Sequence, residues 1–249
     1  MKLFTQLWNP EGQKTALLIH GIGSDSATWG KIAGYLSENG YKVIAPDLRG
    51  HGNSERSARY GIRSWAKDVI ETVNSDVDLI IGHSLGGLIA AAVSPKLKAK
   101  QTILIDPALS LPRWGLISVI SKLVLLGTIS TASPEKIRKF NPWLSDEDIE
   151  IEMNAVRRWD RKTIYGLKAE QCRQVMKRFL VYKPSTAIIR PKFSVLINHR
   201  VSRLLVTTGM KFIVLPDGGH NLHRTHHDTF VDSIREFIEQ NVDTQLSVA

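Results

Sequence analysis

The sequence predicts an α/β protein built on a doubly wound, mostly parallel sheet. Short apolar runs alternate with amphipathic segments along most of the 249 residues, and this spacing is typical of such sheets. One apolar run, Leu79 to Ile81, leads directly into Gly82-His83-Ser84-Leu85-Gly86 and then into the small-residue helix Leu88 to Val93. A strand, a sharp turn and a helix in that order form an elbow, here residues 82–86, that lifts a serine hydroxyl out of the sheet. A flexible turn of the same composition is the alternative interpretation.

The other elements are predicted from hydrophobic periodicity. Apolar runs that suit strands buried on both faces are Thr15 to Ile19, Tyr41 to Ala45, Thr102 to Ile105, Thr186 to Ile189 and Lys211 to Leu215. Helical periodicity is found in Thr28 to Leu36, Ile62 to Val73, Asp146 to Arg158, Ala169 to Val181, Val195 to Val206 and Thr225 to Gln240. Right-handed crossovers would place the functional loops at the carboxyl ends of the strands.

The alternation of strands and helices is interrupted once. Residues 109–180 show helical periodicity and no convincing strand, so they are predicted to form a helical cap over the site. Residues 1–108 and 181–249 would then form the core domain. The segment Leu116 to Leu126 is markedly apolar, but it is too short, and too interrupted by Lys122, to span a bilayer.

Composition narrows the function classes further. The formal net charge is +9, and residues 151–212 hold 14 Lys and Arg against 3 Asp and Glu. No nucleic-acid-binding motif accompanies these charges, so a solvated basic face is expected, without a nucleic-acid partner or stable membrane insertion. Cys172 is the single cysteine and excludes an internal disulfide. Because Met1 to Gln6 lacks the basic and apolar pattern of a secretory signal, a cytoplasmic location is expected. The oligomeric state stays open.

Four motifs in chain order resemble those of the α/β-hydrolase fold superfamily, and the resemblance runs from about Leu17 to Ile238. The motifs are His20-Gly21, Asp47-Leu48-Arg49-Gly50-His51-Gly52, Gly82-His83-Ser84-Leu85-Gly86-Gly87 and Gly218-Gly219-His220. The resemblance implies that Ser84 is a nucleophile and His220 its base. It also implies that the backbone N–H groups of Leu85 and Ile22 form an oxyanion hole.

The chemistry of a serine nucleophile favours the same base. A serine hydroxyl near neutral pH needs a neighbouring base, and His220 follows the last predicted strand in a Gly-Gly loop. His51 matches a structural turn of the family, and His83 is expected to point away from the elbow. His223, His226 and His227 have a spacing similar to that of metal ligands, but they are interpreted as a solvated cluster. No metal or organic cofactor is expected.

The acid of the triad departs from the usual pattern. Most relatives carry an acid just after the strand that corresponds to Thr186 to Ile189, and residues 190–194 contain none. Some lipases of the superfamily place the acid after the preceding strand, in a Leu-Asp-Pro-Ala sequence that Ile105-Asp106-Pro107-Ala108 resembles. Asp106 is therefore the predicted acid. The alternative is that Asp106 has only a structural role, in which case a dyad of Ser84 and His220 would be assisted by Ser194 or by water. Asp217, three residues before His220, is expected to shape its turn.

The expected function is a serine hydrolase that cleaves carboxylic esters of small to medium hydrophobic substrates through an acyl-enzyme. The expected partner is a small-molecule ester or acyl compound. Hydrolysis of a carbon–carbon bond, a lactone or an amide by the same triad is an alternative within the enzyme class. A slow or non-catalytic ligand-sensing protein is the alternative outside it, and the missing acid after Ile189 keeps that alternative open.

Overall fold

A computed structural model describes residues 1–108, 133–182, 185–194, 196–197, 199–216 and 219–246. These residues form a seven-stranded sheet with the strand order β1-β3-β2-β4-β5-β6-β7. Strand β1 pairs antiparallel with β3, and the remaining pairs are parallel. The strands are Thr5–Trp8 (β1), Lys14–Ile19 (β2), Tyr41–Pro46 (β3), Leu79–His83 (β4), Gln101–Ile105 (β5), Ser185–Pro191 (β6) and Lys211–Leu215 (β7). The predicted fold class is confirmed.

The helices lie between and after the strands. A 3-10 turn at Ser26–Trp29 precedes α1, and another at Arg161–Gly166 precedes α6. The α-helices described are Gly30–Glu38 (α1), Ile62–Val73 (α2), Leu85–Val93 (α3), Pro134–Phe140 (α4), Asp146–Arg158 (α5), Ala169–Tyr182 (α6), His199–Val206 (α7), Leu222–Thr225 (α8) and His227–Leu246 (α9).

The central strands are buried on both faces, which explains why they are continuous apolar runs. Along β2, Leu17 and Ile19 join one hydrophobic cluster, while Leu18 joins the cluster on the opposite face. The first cluster includes side chains of α2, α3 and α6, and the second includes side chains of α1 and α9. The sheet is therefore covered by helices on both faces and brings the carboxyl ends of β2, β4, β5, β6 and β7 to one edge.

Several boundaries differ from those predicted. Strand β1 was missed, because its four residues are mostly half-buried at the sheet edge and lack an apolar run. The final predicted helix begins earlier, at Leu222, and is interrupted at His226. Helix α7 is seen from His199 onwards.

The predicted cap overlaps α4, α5 and α6. Helix α6 packs against α3, and its buried Cys172 and Phe179 belong to the same hydrophobic cluster as Leu88. This helix therefore flanks the sheet beside α3. Helix α5, in contrast, contributes Glu152 to the cavity that contains Ser84. The division into a core and a cap at residues 109–180 stays a prediction, and the apolar segment 116–126 lies outside the described residues.

Candidate active site

Ser84 occupies a strained turn between β4 and α3. Its backbone has φ 55° and ψ −113°, a combination that residues other than glycine adopt only where the surroundings impose it. The Ser84 N–H donates to the carbonyl of Ile105 at 2.9 Å, and the Ala108 N–H donates to the Ser84 carbonyl at 3.3 Å. The end of β5 therefore holds the turn on both sides. The predicted order of strand, sharp turn and helix is present.

The glycines at positions 82 and 86 are required by close backbone contacts. A Cβ atom at Gly82 would lie 2.3 Å from the carbonyl oxygen of Gly86, and one at Gly86 would lie 2.0 Å from that of Ile19. Both distances are well inside van der Waals contact. The first turn of α3 can therefore rest directly on β2 and β4 only while both positions lack a side chain.

The loop after β2 lies beside the serine. A Cβ atom at Gly21 would be 3.3 Å from the Cβ of Ser84, and Ile22 lines the same cavity as Ser84. Leu85 begins α3, so its N–H has no acceptor within the helix. These positions suit the predicted oxyanion hole, while the use of the Ile22 and Leu85 N–H groups as donors stays a prediction.

Asp106 and His220 are in direct contact, 114 residues apart in the chain. The His220 Nδ1 lies 2.7 Å from Asp106 Oδ2, and Asp106 is buried at the end of β5 with φ 35°. An Nδ1–H that donates to this carboxylate leaves Nε2 free to accept a proton. His220 lines the same cavity as Ser84. The structure thus brings all three predicted side chains to one edge of the sheet.

The loop after β6, which lacks the usual acid, supplies a hydroxyl instead. Ser194 Oγ donates to Asp106 Oδ1 at 2.5 Å. The same oxygen accepts hydrogen bonds from the backbone N–H groups of Leu196, at 3.1 Å, and Ile197, at 2.9 Å. Ser194 therefore contacts the carboxylate and not His220. Asp217 lies outside the described residues.

Two further histidines lie in the cavity wall with His220, contrary to expectation. His83 Nε2 lies 2.9 Å from the His220 carbonyl oxygen, and the two rings are 4.5 Å apart. The prediction that His83 points away from the elbow is wrong. His223 is 2% exposed and packs between Trp29 and His83, so the predicted solvated cluster is wrong for this residue. Burial holds the pKa of both His83 and His223 well below the usual value, so both rings are neutral.

Neutral His83 has a defined role in the hydrogen-bond network. Because a carbonyl oxygen only accepts, the His83 Nε2 must carry the proton and donate to His220. This contact holds the backbone of the predicted base. Among the described residues, no group of three or more His, Cys, Asp or Glu side chains is arranged to hold a metal ion.

His20 ties two of the loops together. Its Nε2 accepts from the Leu48 N–H at 3.0 Å, so its Nδ1 donates to the Gly21 carbonyl at 2.7 Å. Burial lowers the pKa of His20, which keeps the imidazole neutral, with Nδ1 as its donor and Nε2 as its acceptor. The loop after β2 is thereby fixed to the loop after β3.

A buried ionic network forms another part of the cavity wall, which sequence reasoning missed. Arg224, on α8, bonds to Glu152 Oε2 and, at 2.7 Å, to the carbonyl oxygen of Asp148, both on α5. Asp148 also accepts from Lys31 at 2.7 Å and from Ser145 at 2.8 Å. Burial alone would raise the pKa of Asp148, but these donors and Arg224 hold it below the usual value.

The fold and this site define an α/β hydrolase, and comparison with known proteins agrees. Residues 16–233 match the model of the alpha/beta hydrolase family, so the chain belongs to that family. Two solved structures share the fold. A putative lipase from Acinetobacter baumannii AYE has a TM-score of 0.74 at 20% identity, over 97% of this chain and 93% of that one. An esterase from Exiguobacterium antarcticum has a TM-score of 0.72 at 16% identity, over 95% of each chain.

Similarity to curated proteins is confined to segments. Lipase LipV of Mycobacterium tuberculosis is 33% identical over 115 residues, which cover 44% of this chain and 43% of LipV. A putative esterase/lipase of Haemophilus influenzae is 31% identical over 143 residues, 53% of this chain and 48% of that protein. An uncharacterized M. tuberculosis protein is 42% identical over 78 residues, only 23% of its length and 30% of this chain. Among the described residues, no helix is long and apolar enough to cross a membrane.

Proposed function

We propose that this protein is a serine hydrolase that cleaves carboxylic esters through an acyl-enzyme. The observation that carries the proposal is the 2.7 Å contact between His220 and Asp106, together with the cavity that His220 and Ser84 both line. The segmental similarity to a lipase and to a putative esterase/lipase supports the ester as substrate.

The proposed reaction uses the three side chains in sequence. Ser84 Oγ attacks the ester carbonyl while His220 Nε2 takes its proton, and the oxyanion that forms accepts hydrogen bonds from the Leu85 and Ile22 N–H groups. His220 then protonates the departing alcohol, which leaves an acyl group on Ser84. A water molecule deprotonated by His220 then attacks this acyl group, and His220 returns the proton to Ser84 Oγ as the bond to the acyl group breaks and the acid leaves.

Asp106 has a positioning role in this scheme. Its Oδ2 accepts the His220 Nδ1–H, which keeps Nε2 available to Ser84 and stabilises the imidazolium formed during each half-reaction. The ligand-sensing alternative rested on the missing acid after Ile189. The contact between Asp106 and His220 supplies an acidic partner for the base from another loop, and this favours an enzyme.

The first test is to replace the nucleophile. We expect Ser84→Ala to lower kcat for p-nitrophenyl acetate by at least about 10³-fold, because the attacking atom is gone. Its melting temperature should stay near that of the wild type. A fluorophosphonate probe should label the wild type and the control Ser233→Ala, a serine of α9, but not Ser84→Ala. Hydrolysis by Ser84→Ala at the wild-type rate would contradict the proposal.

A further inference from the structure

Most residues that line the described part of the cavity have polar side chains. Ile22 supplies the only aliphatic side chain among its described lining residues. Besides Ser84 and the histidines, the wall includes Ser24, Thr28, Glu152, Asn221 and Arg224. A site for a plain alkyl chain is normally lined by apolar and aromatic side chains. The wall beside the reacting serine is therefore suited to a substrate group that forms hydrogen bonds.

Two nitrogen atoms of this wall lack partners among the described residues. The Arg224 side chain is 4% exposed, and while both of its terminal nitrogens are bonded, its Nε has no acceptor. His223 is also buried, and its Nδ1 has no partner. Buried polar groups in native proteins are nearly always paired, so unpaired ones call for an explanation. Both nitrogens are enclosed by protein, so they mark hydrogen-bonding capacity left unused behind the wall and are not themselves exposed to a substrate.

The charges around these atoms decide which kind of group fits. Glu152 and Asp148 together balance Arg224, and Lys31 adds a second positive charge next to Asp148. Each charge in the network thus has an opposite partner within the protein. An ionised substrate group would enter without a free counter-charge, which makes its burial costly. A neutral group meets no such cost.

We propose that the Glu152–Arg224 pair forms a polar subsite that selects esters carrying a neutral hydrogen-bonding group close to the scissile carbonyl. The proposal rests on the proposed ester hydrolysis and specifies its substrate class. It concerns the part of the cavity wall that the described residues form, and the hydrophobic substrate expected from the sequence stays a prediction. Sites built to hydrogen-bond a substrate discriminate strongly against analogues that lack the bonding atom, because their own polar groups are then left unpaired.

The test compares two esters of nearly the same shape. In p-nitrophenyl methoxyacetate an ether oxygen stands where p-nitrophenyl butyrate has a methylene. Each kcat/KM is divided by the rate of hydroxide-catalysed hydrolysis of the same ester, which corrects for the electronic effect of the oxygen. We expect the corrected value to favour the methoxyacetate by about 10-fold or more. p-Nitrophenyl hemisuccinate, which is ionised, should be a poorer substrate than the methoxyacetate.

The variants ask whether this preference comes from the ion pair. The double variant Glu152→Leu/Arg224→Met replaces the buried pair by apolar side chains of similar size, a change that folded proteins often tolerate. We expect the ratio of its corrected kcat/KM values, methoxyacetate over butyrate, to fall to about 1. Glu152→Gln keeps the shape of the wall and serves if the double variant does not fold; its ratio should fall by at least about threefold. Arg157→Met, an exposed change on the same helix, should keep the wild-type ratio.

Each outcome bears on a different claim. Hydrolysis of all three esters without a preference for the methoxyacetate would overturn the polar subsite and leave the proposed function intact. A preference for the hemisuccinate would overturn the neutral substrate class. A preference that persists in the folded double variant would overturn the role of Glu152 and Arg224. Failure to hydrolyse any ester, together with no fluorophosphonate labelling of Ser84, would overturn the proposed function itself.

Discussion

Replacing Asp106 with asparagine tests how the carboxylate orients His220. Asp106 accepts two hydrogen bonds, one at Oδ2 from His220 Nδ1 at 2.7 Å and one at Oδ1 from Ser194 Oγ at 2.5 Å. An amide of the same shape offers one oxygen and one NH2 group, so it can accept only one of these bonds. The consequence of the substitution therefore depends on which partner keeps the acceptor.

Ser194 decides the orientation of the amide. The two lone pairs of its hydroxyl already accept from the backbone N–H groups of Leu196 and Ile197, so its one proton needs an acceptor. We therefore expect the new amide oxygen to face Ser194 and the NH2 group to face His220. His220 must then accept at Nδ1, which moves its proton to Nε2 and prevents that atom from deprotonating Ser84.

The magnitude follows from this change of tautomer. The equivalent asparagine substitution in the serine-protease template lowers kcat by about 10⁴-fold, which corresponds to about 5.5 kcal/mol of barrier height. We expect a loss of this order for Asp106→Asn in kcat for p-nitrophenyl acetate. The melting temperature of the variant should show that it is folded.

A second substitution separates this explanation from simple loss of a charge. In the double variant Asp106→Asn/Ser194→Ala the hydroxyl that fixed the amide is absent, so the amide can turn its oxygen toward His220. We expect the double variant to be at least about tenfold more active than Asp106→Asn, and Ser194→Ala alone to stay within about tenfold of the wild type. A double variant no more active than Asp106→Asn would refute the reasoning, as would a loss below tenfold for Asp106→Asn.

Two further predictions concern stability. Gly86→Ala should lower the free energy of unfolding by about 1–3 kcal/mol or more, because its Cβ would lie 2.0 Å from the Ile19 carbonyl oxygen. Gly34→Ala meets no atom within 4 Å and should not destabilise. Chemical denaturation measures both variants. The free energy of unfolding should also decrease as the pH falls below about 6.5, since the unfolded chain then binds more protons than the folded one. The decrease is up to about 1.4 kcal/mol per pH unit for each histidine that has its pKa lowered by burial. A value unchanged between pH 7.5 and 5.5 would contradict this for His20, His51, His83 and His223.

The sheet and the elbow could be predicted because their signals are local. A strand buried on both faces needs an unbroken apolar run, as in Leu79 to Ile81, and the turn at Ser84 needs glycine at positions 82 and 86. Asp106 was found through the resemblance of its own short sequence to the Leu-Asp-Pro-Ala of some lipases, and it directly follows β5. Each of these features depends on neighbouring residues in the chain, and each lies where it was expected.

The cavity wall could not be predicted, because its contacts join distant parts of the chain. Glu152 and Arg224 are 72 residues apart, and no spacing rule relates them. His223 is buried because rings from three separate elements, including Trp29 and His83, surround it, while its sequence neighbours His226 and His227 suggest a polar surface. A histidine pattern alone cannot distinguish these environments. The burial of His223 follows from how α8 packs, which no local pattern encodes.

The ion pairs of α5 are not explained by fold stability. At one end of the helix, Arg158 bonds to the buried Asp25 at 2.6 Å beside the loop after β2; nearer its middle, Glu152 bonds to Arg224 beside His220. A buried ion pair generally stabilises a fold no more than apolar side chains of the same volume, whereas losing one partner destabilises it by about 3–5 kcal/mol. An aliphatic pair would hold α5 against α8 equally well. Unlike an aliphatic pair, Glu152 and Arg224 line the cavity of Ser84 with polar side chains, and that difference favours a role in substrate selection.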